Sequence, residues 1–174
     1  MKFQLKHAVE ILERTPSVLQ SLLGGLSDAW ILPNVGPDTW SPYDVVGHLI
    51  HGEEADWISR AKIILEHGES KTFTPFDRFA FIQKSKGKTL QQLLEEFERL
   101  RKENLRALEG MSLESHHFDL KGTHPEFGQV TMGQLIATWA VHDLGHIEQI
   151  VRTMAKQYDE TVGPWKRYLS VLNR

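Results

Sequence analysis

The sequence contains no cysteine. That excludes disulfides, thiolate metal ligands and a cysteine nucleophile, so any thiol chemistry must bring its thiol from outside. Positive charge is not in surplus either. Lys and Arg number 20 against 23 Asp and Glu, for a net charge of -3, and no basic tract is present to displace the counterions of nucleic acid. No run approaches the roughly 18 apolar residues of a membrane span. The first six residues, Met1 to Lys6, lack the apolar core of a signal peptide. The expectation is a cytoplasmic protein with neither nucleic acid nor membrane as partner. Strand signals are missing as well.

What is present is helical. The chain has 174 residues, 40% hydrophobic and 25% charged, which suits one domain over 1–174 with a buried core. Apolar residues at helical spacing run from Leu5 to Leu23, and Thr15 as N-cap with Pro16 at N1 predicts a restart between them. Residues 27–39 read as a loop with a short turn at Asp28–Trp30. Trp40-Ser41-Pro42-Tyr43-Asp44 is a dense start signal, with Ser41 as cap, Pro42 at N1 and Asp44 at N3. It predicts a helix to about His67, stopped by Gly68. A capping box at Thr89 and Gln92 opens a helix to Gly110. Its leucine stripe is assigned to the core and its charged residues, Arg101 among them, to a solvated face. A further box, Thr131 and Gln134, opens the longest helix, which runs to about Tyr158.

Two long connections remain. One, 69–88, carries Phe73, Phe76, Phe79 and Phe81, expected to pack on the core or line a pocket. The other, 111–130, carries His116, His117 and His124, expected at the surface. Four substantial helices and a short C-terminal helix at 164–172 predict an all-α four-helix bundle with long cross-bundle loops.

The chemistry lies in the longest helix. His142 and His146 fall about 40° apart on one face, with Gln149 one turn further. Two such imidazoles offer two of the three or four ligands that a transition metal needs. Nine His give on the order of half such a pair by chance, so a surface histidine beside a partly buried one explains the pair as well. A ligand from a facing helix decides between the two. His48 is the other histidine mid-face on a long helix; His51 is the fallback, and His7 on the first helix is a further candidate. Gly52 and Ala55 beside His48, and Gly145 beside the pair, are read as leaving room for an ion or a close helix. Three neutral imidazoles leave a +2 charge and an open coordination position, the arrangement of a catalytic site. Zn²⁺ is the default, and Ni²⁺, Fe²⁺ and Mn²⁺ also suit imidazole. Of the nearby polar residues Asp143, Glu148, Glu53, Glu54 and Gln149, only Gln149 falls on the ligand face, and no general base is assigned.

Several motifs together resemble the DinB-like superfamily over residues 5–172. They are Thr-Pro-x-x-Leu-x-x-Leu-Leu at 15–23, Trp-Ser-Pro-x-Asp-Val-Val-Gly-His-Leu at 40–49 and Gly-Thr-His-Pro-Glu-x-Gly at 122–128. Trp-Ala-Val-His-Asp-Leu-Gly-His-Ile-x-Gln at 139–149 and Val-Gly-Pro-Trp at 162–165 complete the set. The resemblance implies a four-helix bundle with a divalent metal on three histidines, by motif position His48, His142 and His146. Relatives in that family include thiol transferases using bacillithiol or mycothiol, a maleylpyruvate isomerase and presumed hydrolases. It therefore implies a metal-dependent transferase or hydrolase acting on a small molecule, with a low-molecular-weight thiol as the expected cosubstrate of the transferase, and a homodimer. The alternative is a non-catalytic metal- or ligand-binding module of a stress response.

Overall fold

The computed structural model describes residues 2–173. Its helices are α1 (Leu5–Leu12), α2 (Thr15–Leu23), α3 (Asp28–Ile31), α4 (Pro42–Ala55), α5 (Trp57–His67), α6 (Phe81–Ser85), α7 (Leu90–Gly110) and α8 (Met132–Lys156). The pairs α1–α2 and α4–α5 each act as one bent rod, and with α7 and α8 they form a four-helix bundle. The α1–α2 rod lies against α8 and α7, and the α4–α5 rod packs on the same two helices. No helix among the described residues is long and apolar enough to cross a membrane.

The capping boxes expected at Thr89 and Thr131 form, and Ser41, expected as a cap, completes a box with Asp44. Ser41 with Asp44, Thr89 with Gln92 and Thr131 with Gln134 each exchange side-chain and backbone hydrogen bonds at a helix start. Each box satisfies two amides that the first turn would otherwise leave unpaired.

Several expectations are corrected. Thr15 does not cap α2: Arg14 takes that position in helical conformation, and the Thr15 hydroxyl donates back to the Ile11 carbonyl at 3.2 Å. The helix expected from 42 to 67 bends at Asp56, whose φ of -111° and ψ of -75° leave ideal helical geometry. The Asp56 amide still reaches the Gly52 carbonyl at 3.0 Å, so the rod kinks without coming apart. The expected absence of strands fails inside residues 111–130. There Lys121–His124 (β1) pairs antiparallel with Gly128–Thr131 (β2), turning at Gly128 with φ +71°. Only four residues long on each side, the hairpin carries too little alternation to read as strands. The C-terminal helix is two 3₁₀ segments, Gly163–Tyr168 and Ser170–Leu172.

The core is split in two. One apolar cluster gathers Leu12, Trp57, Ile64, Phe73, Ile136 and Trp139; the other gathers Leu19, Leu23, Val45, Leu49, Phe97 and Ile150. Between them, along the sequences of α4, α7 and α8, stand Glu53, Arg101 and Asp143, all buried. Arg101, 1% exposed, corrects the solvated-face assignment. Its guanidinium reaches Glu53 at 2.8 Å, Asp143 at 2.6 and 2.9 Å, and the Leu12 carbonyl at 2.8 Å. Trp139 Nε1 donates to the same Glu53 carboxylate at 3.0 Å, and Asn104 to its other oxygen at 2.9 Å. This layer ties three helices of the bundle, and the α1–α2 rod, at one level.

Gly47 marks a second close approach. A Cβ there would collide with Ser85 Oγ and press on Phe81 at 3.0 Å, where α6 lies on α4. Gly47→Ala should therefore destabilise the protein by about 1–3 kcal/mol through overpacking, despite the ~1 kcal/mol helix-propensity gain. A lowered urea midpoint at unchanged m-value is the expected reading.

Candidate metal centre

The capping box at Ser41 fixes the start of α4 and so the height of His48, about two turns along. The box at Thr131 does the same for α8, which carries His142 and His146 one turn apart. The two helices bring these rings together. His142 Nε2 lies 3.3 Å from His48 Nε2 and 3.1 Å from His146 Nε2, and one ligand atom from each ring falls within 4.8 Å of the others.

His51 and His7 do not join them. His51 stacks on Phe76 with ring centroids 4.7 Å apart, and its Nδ1 faces Lys84 Nζ at 3.3 Å. Asp143 and Glu53 point away into the Arg101 layer, and Glu54 pairs with Lys84. Gln149 does reach the site: its Oε1 accepts from His146 Nδ1 at 2.8 Å, which leaves the Nε2 lone pair of that ring facing the other two. The small residues have other roles than the one expected. A Cβ on Gly145 would meet nothing, Ala55 is exposed, and one on Gly52 would touch Trp57 Nε1 at 3.3 Å. Gly52 makes room for an indole.

The donor set fits a metal ion. Two nitrogens bonded to zinc at about 2.0–2.1 Å and the tetrahedral angle stand roughly 3.3–3.4 Å apart, close to the spacing seen here. Three lone pairs facing one another repel unless a cation or a proton lies among them, and protons are disfavoured. Burial first, then the neighbouring histidines, push His48 and His142 down to about 3, and burial lowers His146 as well. The Nδ1 atoms of His48 and His142 are buried without a well-formed hydrogen bond, although the Arg78 backbone acts on His48, whereas Gln149 fixes the tautomer of His146.

The ring cluster forms part of the wall of a cleft of about 730 Å³. Trp40 covers one side, 4.6 Å from the His48 ring and stacked at 19° on His146. Trp57, placed by the kink, meets His142 at 5.1 Å and stacks on Trp139. The phenylalanine-rich connection supplies Phe73 and Phe76, and the hairpin supplies His124 and Phe127. His124, expected at the surface, is half-buried: its ring stacks on Phe127 and its Nδ1 accepts from the Glu126 amide at 3.1 Å. Asp56 also lines the cleft, where burial pushes its carboxyl up to about 6 against the pull of Arg60.

These shifts predict a pH dependence for the metal-free protein. Unfolded histidine titrates near 6.5, so between about pH 3 and 6.5 the unfolded chain holds protons that folded His48 and His142 refuse. Stability from these rings is complete above about pH 6.5 and is lost as pH falls through that window. Asp56, raised to about 6, acts oppositely between its unfolded value and 6, but it is one group against two with larger shifts. EDTA-treated protein should melt lower at about pH 5 than at about pH 7.5, and His48→Gln/His142→Gln should flatten that difference.

A bent four-helix bundle with three histidines converging on a cleft is the class this geometry defines. The chain belongs to the DinB superfamily, whose model matches residues 11–150. Among solved structures it is similar to YfiT from Bacillus subtilis, described as a probable metal-dependent hydrolase with an unusual four-helix bundle topology. The TM-score is 0.76 at 21% identity, covering 90% of this chain and 89% of that one, which establishes the shared fold. No curated protein matches this sequence.

Proposed function

We propose that His48, His142 and His146 hold one divalent metal ion, Zn²⁺ by default with Ni²⁺, Fe²⁺ or Mn²⁺ as alternatives, and that the chain is a single-domain metal-dependent hydrolase of a small molecule. The observation that carries this reading is the convergence of three histidines at the wall of an open cleft, with His142 Nε2 standing from each of the other two Nε2 atoms at about the spacing of two ligands on a tetrahedral ion. A structural ion would be sealed under side chains. When bound to three neutral imidazoles, a divalent ion supplies Lewis acidity, lowering the pKa of a water or thiol and polarising an oxygen of the substrate. The chain does the rest. Gln149 holds His146 in the tautomer that presents Nε2, and Trp40 and Trp57 exclude water from two sides of the rings. The description of YfiT as a probable metal-dependent hydrolase supports the same reading.

Transfer of a low-molecular-weight thiol is the second reading. It is favoured by a cleft large enough for two small reactants in a chain without a thiol of its own. The test is turnover by zinc-loaded and EDTA-treated protein. Nitrophenyl esters serve for hydrolysis, and a low-molecular-weight thiol with a chlorodinitrobenzene electrophile serves for transfer. Turnover of either pair that disappears with EDTA and returns with Zn²⁺ selects the reaction. Zinc-loaded protein inert to both classes, or activity indifferent to EDTA, contradicts the proposal.

A further inference from the structure

We infer that Arg78 is the recognition residue for a negatively charged group on the substrate, so that the cleft takes a small organic anion with a flat apolar body. The inference deepens the reading above and rests on the triad cleft being the working site.

Two guanidinium groups face this cleft, and they differ in one respect. Arg60 is buried and already paired with Asp56, their side chains 10% and 11% exposed. It also lies over the Phe73 ring at 5.3 Å, so its charge is compensated and its position fixed. Arg78 has no carboxylate within ion-pair distance among the described residues. Its neighbour Asp77 accepts from the Phe79 amide at 3.0 Å instead. The rim carboxylates Asp38 and Glu126 line the same opening, exposed to water, and neither pairs with Arg78.

Arg78 is nonetheless held in place. Its guanidinium lies over the Phe79 ring at 5.0 Å and over the Trp40 ring at 5.6 Å. Trp40 is the same indole that covers His48 and His146, so one ring separates the cation from the triad. A guanidinium stacked on aromatic faces keeps its in-plane N–H donors free, the fork that matches a carboxylate. The apolar part of the cleft lining is Phe73, Phe76, Phe127, Val130 and Leu135. Phe127 is 75% exposed at the hairpin tip, an aromatic surface left open at the mouth. A ligand matching these walls has an aromatic or otherwise flat body and an anionic group at the Arg78 end.

The test uses a matched pair of probes, naphthoate and its neutral isostere naphthamide, titrated calorimetrically into wild type, Arg78→Met and Arg78→Lys. Methionine keeps most of the apolar stem without the charge. Each titration is run on metal-free and on zinc-loaded protein, with zinc content measured separately. The wild type should bind naphthoate at least ~10-fold tighter than naphthamide in both forms, as a charge-assisted hydrogen-bonded pair provides. Arg78→Met should abolish that preference while leaving naphthamide binding within about threefold, and Arg78→Lys should retain part of it. A preference that survives in metal-free Arg78→Met, or a metal-free wild type without one, overturns the inference. Failure of the metal reading shows itself differently, as absent zinc in protein that still discriminates between the probes.

Discussion

Arg101→Met should cost the protein about 3–5 kcal/mol of stability, a large share of the ~5–15 kcal/mol that a domain possesses. The substitution is close in volume and keeps the contacts with Phe97 and Trp139, over whose rings the guanidinium lies at 4.9 and 5.2 Å. What it removes is the cation between two buried carboxylates, together with hydrogen bonds to Glu53, Asp143 and Leu12. Buried carboxylates without a partner are the expensive outcome, far more than the net worth of the pair itself. Removing the whole layer should therefore be milder than removing its centre. The triple change Arg101→Met, Glu53→Met, Asp143→Met is expected to recover part of the loss, and urea unfolding of both variants measures the difference. Arg101→Lys should recover little, since an ammonium cannot reproduce the forked contacts. Because Asp143 adjoins His142 and Glu53 lies on the helix of His48, Arg101→Met should also loosen metal binding.

His142→Ala should abolish zinc stabilisation altogether. This ring stands between the other two, within 3.3 Å of His48 Nε2 and 3.1 Å of His146 Nε2, so its loss leaves no adjacent pair of donors at bonding separation. An ion that binds the folded state adds about 2.7 kcal/mol when present at 100 times its dissociation constant. Wild-type protein should show that rise in thermal denaturation, and His142→Ala should show none. Without metal, the variant should be close to wild type in stability, because the lost ring faces an open cleft and was held against two repelling neighbours. A variant that is unstable even without metal would identify His142 as a packing residue.

The sequence made the helices and the ring cluster legible for the same reason. Capping residues and apolar periodicity are local signals, and the His142–His146 spacing is set by the helix alone. Identifying His48 as the partner needed the family motif or the fold, since His51 competed for the role until the structure set it against Phe76 and Lys84. Arg101 was misassigned because charge was taken to mean solvent. Its position carried the contrary signal: it follows Leu94 by seven residues and Phe97 by four, and precedes Leu108 by seven, on the buried stripe. Glu53 follows Leu49 by four and Asp143 follows Trp139 by four, on the same logic. Three charges of mixed sign on the inner faces of three helices form a pattern that reads as a buried network. The kink at Asp56 and the hairpin at 121–131 had no comparable signal. Both depend on tertiary packing, the first on seating Trp57 against Trp139 and the second on Phe73, whose amide donates to the Thr123 carbonyl at 2.9 Å.

The central claim is that three histidines hold a metal, and the most direct measurement is metal content by elemental mass spectrometry. It is made on untagged wild type and on His146→Ala. About one divalent ion per chain in the wild type and none in the variant is the predicted result. Wild-type protein that carries no metal, and that takes up neither Zn²⁺ nor Ni²⁺ on titration, would contradict it.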